Sequence, residues 1–137
     1  SMLTNLKTHI FPLSFALVGL FAASMAAAQD RPLRVELSRT DLAGSSGTEV
    51  VIAKIKLPPG VRVPRHFHHG DAYAYIVKGG TVQPKGKDVR EDKAGTLFHF
   101  RRGELHGDFV VVGDKAIEIL SISIVDKGKP LVDTGKP

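Results

Sequence analysis

Two stretches decide how this chain folds: GVRVPRHFH at positions 60–68 and GTLFHFRRGELH at positions 95–106. Each opens on a glycine and ends on a histidine. With His69 added, five of the six histidines of the chain fall between Gly60 and His106. Residues two apart on a strand share a face, so His66 and His68 project together with Phe67 opposite. Imidazole is neutral and free to ligate near neutral pH, its ordinary pKa being about 6.5. An H-x-H pair alone is a weak sign, because single histidines on β-faces are commonly surface or satisfied core residues. His106 strengthens it. This third histidine follows the turn at Gly103, which lets the backbone bring it inward to complete a cap of three ligands.

Outward from these stretches the chain reads as short strands. LRVELS at 33–38 alternates apolar and polar residues, and TEVVIAKIKL at 48–57 is β-branched and alternating. Pro58, Pro59 and Gly60 end the latter. Pro64 lacks the N–H a central strand needs, so the strand over 61–65 is short or lies at an edge. AYAYIVK at 72–78, a hairpin over 81–91 around Pro84 and Gly86, TLFHF at 96–100, DFVVV at 108–112 and KAIEILSISIV at 115–125 complete the set. Gly113-Asp114 reads as a hairpin turn. The tail over 126–137 is expected to be loose or to wrap a neighbour. After position 28 no segment carries a sustained helical period, so the fold class is all-β, a sandwich or barrel.

At this point the sequence resembles the cupin superfamily. The first cupin motif is a glycine, five residues, H-x-H, a glutamate three or four residues on, and a closing glycine. Gly60, His66 and His68 match its spacing. YIVKG at 75–79 resembles the strand end of that motif. Gly95, Gly103 and His106 match the spacing of the second motif, and the resemblance runs from about Leu57 to Val125. The tail KGKPL at 127–131 also looks like that of small exported single-domain cupins. The resemblance implies a single small cupin β-barrel of the jelly-roll type. It implies one divalent transition metal (Fe, Cu, Zn, Ni or Mn) on His66, His68 and His106, and a homodimer in which the N-terminal strand or the tail crosses to the partner.

The departures bear on function. The family's glutamate ligand is missing: one count puts Ala72 in its place and the other puts Tyr73 there, making Tyr73 a candidate fourth ligand. Strand parity in the first count turns Ala72, Ala74 and Ile76 inward and Tyr73 and Tyr75 outward. Arg101 and Val110 stand where the second motif has proline and asparagine. Three neutral ligands leave the metal's charge uncompensated, which favours an anionic ligand or substrate. Open positions on a three-ligand metal characterise a catalytic site. Some cupin oxygenases use three histidines without a carboxylate. The resemblance therefore implies metal-dependent chemistry on a small molecule, oxygenase-like. The alternative is a non-enzymatic periplasmic protein that binds a metal or a small anion.

The remaining polar residues have plainer readings. His69 faces away from His68, and His99 lies outside if Phe98 and Phe100 line the barrel. Asp71 is either a solvated turn residue or the acceptor that orients a ligand imidazole. Glu104 is an exposed turn residue, with a substitute ligand or general base as the sharper reading. Tyr75 and Phe109 read as core.

A chain of 137 residues suits one domain. Ser1 reads as a tag residue, and positions 2–28 have a charged start, an apolar middle and Ala26-Ala27-Ala28, the pattern of a cleaved secretory signal. The domain is then 29–137, exported to the periplasm or secreted, with no stable membrane anchor after cleavage. There is no cysteine, hence no disulfide and no thiolate ligand. The formal charge of +5 falls to about +4 without Lys7 and is spread among acidic residues, so no nucleic-acid partner is expected.

Overall fold

The computed structural model describes residues 31–137; the expected tag residue and secretory signal at 1–28 lie outside the described residues. Nine strands form: β1 (Leu33–Asp41), β2 (Thr48–Leu57), β3 (Arg62–Val63), β4 (Gly70–Lys78), β5 (Gly80–Pro84), β6 (Arg90–Asp92), β7 (Leu97–Phe100), β8 (Phe109–Val112) and β9 (Ile117–Asp126). They make two antiparallel sheets, ordered β1-β2-β9-β4-β7 and β3-β8-β5-β6, with no helix among the described residues. Pro64 has the predicted effect: β3 is two residues long and sits at the edge of its sheet.

Three expectations are corrected. β1 runs on to Asp41 because a bulge between Glu36 and Ser38 lets pairing with β2 continue. Gly113-Asp114 is no hairpin: β8 and β9 lie in different sheets, and the turn carries the chain across. A period-two pattern reports a strand but not its partner. The tail is not loose. Phe67 and Asp133 exchange both backbone hydrogen bonds, at 2.9 and 3.0 Å, so the tail adds a bridge beside the H-x-H segment.

The inner face of the five-stranded sheet changes in bulk along its strands. Leu57 pairs with Ile117, and the next row holds Ile55, Ile119 and Ile76. There the two sheets close on a core of Leu57, Val61, Ile76, Val82, Val111 and Ile117. Truncating Ile76, only 2% exposed, would cost about 2–5 kcal/mol, because a packed interior relaxes only partly around a hole. In the following rows β2, β9 and β4 carry mostly small residues, Ala53, Ser121 and Ala74, then Val51, Ser123 and Ala72, with Phe98 and Phe100 of β7 beside them. The sheets cannot fill the space above them, and a cavity of about 550 Å³ opens at this end of the barrel. β1 faces unexpectedly. Leu33, Val35 and Leu37 are 36%, 61% and 50% exposed, while Arg34 lines the cavity.

Candidate metal centre

His66 and His106 face each other across a backbone bridge, each N–H donating to the other's carbonyl at 2.9 Å. The two histidine-bearing stretches are thus joined at the ligand candidates themselves, His66 and His106, which are forty positions apart in the sequence. Gly107 makes this approach feasible. Its φ is 86°, and a Cβ there would sit 2.6 Å from the Pro64 carbonyl oxygen and 3.0 Å from His66 Nδ1. Only glycine meets both conditions at low cost.

Each of the three imidazoles is oriented by a backbone carbonyl. His66 Nδ1 donates to Pro64 O at 2.7 Å, His68 Nδ1 to Leu131 O at 2.7 Å, and His106 Nδ1 to Glu104 O at 2.9 Å. A carbonyl accepts only from an N–H, so each neutral ring carries its proton on Nδ1 and presents a bare Nε2. The Nε2 atoms of His68 and His106 are 3.1 Å apart. One ligand atom from each of the three histidines lies within 4.8 Å of the others. Phe100 stacks on His106 with centroids 3.7 Å apart and planes 5° from parallel, fixing that ring.

Burial keeps these rings neutral. It is the largest cause lowering the pKa of His66 and of His68 from the usual imidazole value. His106 falls to about 4, again chiefly by burial, with the neighbouring His66 and His68 adding to the shift. Two bare lone pairs at 3.1 Å repel, and no proton comes between them near neutral pH. A cation would complement this arrangement, and the donor set of three imidazoles fits a divalent transition metal.

The other polar residues are placed elsewhere. Ala72 is 3% exposed on the inner face and borders the cavity with the histidines. Tyr73 does not turn toward them: its ring stacks on its cross-strand neighbour His99 at 4.4 Å, on the opposite face of β4. Period-two alternation forces the choice, since Ala72 is buried. Asp71 accepts the Arg102 backbone N–H at 3.1 Å rather than orienting a ligand ring. Glu104 closes its own turn by accepting the Arg101 N–H at 2.7 Å. His69 pairs with Asp133 at 2.8 Å, pinning the tail to the back of the H-x-H segment.

Sequence reasoning missed the groups that orient the rings, because the Pro64, Glu104 and Leu131 carbonyls carry no residue signature. It also missed Phe100 as the plate behind His106. It missed Arg34, an exposed residue of β1 that borders the cavity.

The cupin domain family model matches residues 53–123, more than half of the chain. None of the curated proteins compared matches the sequence. Among solved structures, a conserved protein with a double-stranded β-helix domain from Klebsiella pneumoniae is similar at TM-score 0.56 and 17% identity. That likeness covers 77% of this chain and 87% of the other. A cupin superfamily protein from Desulfitobacterium hafniense gives TM-score 0.51 at 15% identity, over 73% and 83% of the two chains. The polyketide cyclase RemF from Streptomyces resistomycificus gives 0.55 at 21% identity, over 74% and 69%. Two histidine motifs in register, two antiparallel sheets and the family match agree: the chain belongs to the cupin superfamily.

Proposed function

We propose that this cupin holds one divalent metal on His66, His68 and His106 and acts on a small organic molecule in the cavity beside it. The observation that carries this is the convergence of three carbonyl-oriented imidazoles on one point at the wall of a 550 Å³ cavity. A structural metal site closes its coordination sphere with protein ligands, whereas a catalytic one keeps an open position. Ala72 leaves such an opening. When bound, the metal supplies a Lewis acid that polarises a substrate oxygen or activates water. The chain's own part is to hold three neutral donors, exclude bulk water with apolar walls and admit the substrate. Oxygenase-type chemistry is the first reaction to test. The fold carries other chemistries too, as the polyketide cyclase shows, and does not assign one by itself.

A second reading, a metal- or anion-binding protein without catalysis, is favoured by one observation. The acids bordering the cavity are engaged: Asp92 by Arg90 at 2.8 Å and Asp108 by Arg62 at 2.9 Å. That leaves no free carboxylate there as a general base.

The proposal keeps export, which rests on positions 1–28 alone. It also keeps a homodimer, supported by exposed Val35, Tyr75, Val77 and Leu97 on the outer sheet face. Metal analysis of protein purified from the periplasm, then titration with Fe(II), Cu(II), Zn(II) and Ni(II), tests the centre. Failure to retain any of them at one per chain overturns it. Oxygen uptake or product formation in the loaded protein, against none in the chelated one, separates enzyme from binding protein.

A further inference from the structure

One side chain in the cavity wall is out of keeping with its row. Arg34, Ile55, Ile119 and Ile76 are successive cross-strand partners on the inner face. Three isoleucines run toward the core, and the edge strand adds a guanidinium. Arg34 borders the same cavity as the histidines. Its neighbouring acid is taken: Glu36 is held by Arg39 at 2.7 Å. Arg65, Lys85, Lys87 and Arg90 also border the cavity, and among these five cations only Arg90 has an acidic partner among the described residues.

We propose that Arg34 is the anion anchor of this cavity and that its ligand is an amphipathic organic carboxylate. The carboxylate pairs with the guanidinium and the apolar body lies along the isoleucines. The far end reaches the three histidines, a point that rests on the proposed metal centre. The planar fork of arginine matches a carboxylate with two parallel hydrogen bonds. A cation without a direct ion-pair partner, bordering low-dielectric walls, concentrates anions from solution. The walls require the remainder of the molecule to be apolar, and the volume is that of an ordinary small-ligand site. Arg34 is preferred over Lys85 and Lys87 because it stands on a strand, whereas they lie in the turn between β5 and β6.

The test is calorimetric titration of the protein, loaded with Zn(II) and separately stripped by chelator, with 3-phenylpropanoate and its neutral amide. Wild type binds the carboxylate at least tenfold more tightly in both forms. Arg34→Gln abolishes that preference and leaves amide binding unchanged, and Arg34→Lys restores part of it. Thermal melting of each variant checks that the fold is kept. The proposal is overturned if wild type binds neither probe, or if Arg34→Gln retains the preference. It is equally overturned if the preference vanishes on stripping, since the metal would then read the anion. A missing metal with an intact Arg34 effect would instead sink the metal centre alone.

Discussion

His68 Nε2 and His106 Nε2 stand 3.1 Å apart with no hydrogen between them, because each ring spends its proton on a carbonyl. A cation between the two rings would complement this arrangement. Removing one member should therefore cost metal affinity far more than fold. His106→Ala is expected to weaken Zn(II) binding by at least a hundredfold, measured by competition with a chromophoric chelator. Affinity within threefold of wild type would show that His106 is not a ligand.

Ala72 is buried on the inner face of β4, whereas the Tyr73 ring stacks on His99. Ala72→Glu should tighten Zn(II) binding about tenfold, since a carboxylate would offset the charge of the ion. Tyr73→Phe should leave the visible spectrum of the Cu(II) form unchanged. A lost charge-transfer band would mean that the phenol reaches the metal.

The tail orients a candidate ligand, His68, from behind. Leu131 O accepts from His68 Nδ1, and Asp133 bridges Phe67 through the backbone and His69 through its side chain. Deleting 131–137 should lower metal affinity about 10–100-fold, the usual scale for losing an orienting partner. Circular dichroism should stay that of an all-β fold. Undiminished affinity would make the tail a mere cover.

Gly107→Ala tests the approach of the two stretches. The added methyl would meet the Pro64 carbonyl and the His66 ring, at a φ that alanine resists. The expected result is both a lower melting temperature and weaker Zn(II) binding, with Gly113→Ala as the control. Gly113 also has positive φ but open space around it, so that variant should lose some stability and no affinity.

Stability without metal should fall in mild acid. Burial lowers the pKa of all three ring histidines, His106 to about 4. Above pH 6.5 folded and unfolded rings are alike neutral. Between about 6.5 and 4 the unfolded chain binds protons that the folded one refuses, so stability drops as pH falls. His106 alone should account for about 2 kcal/mol at pH 4.5. Urea midpoints of chelated protein at pH 7.5 and 4.5 measure it. The replacement His106→Gln should shrink the difference, and an unchanged slope would contradict the assignment.

Much of this protein is legible in its sequence. Alternation in TEVVIAKIKL and KAIEILSISIV marks β2 and β9, and Pro64 marks a truncated edge strand. The spacing of Gly60, His66, His68, Gly103 and His106 carries the superfamily. Such features are local: they depend on strand periodicity, proline's missing N–H and the residues of a motif. Tertiary structure alone decided which strands are partners, so Gly113-Asp114 became a passage between sheets. It settled Tyr73 onto His99, folded the tail behind His68 and set Arg34 at the border of the cavity. Those outcomes depend on cross-strand register and on backbone carbonyls supplied by distant segments. Neither is written in the type of any one residue, because every residue carries the same carbonyl and only the fold aims it.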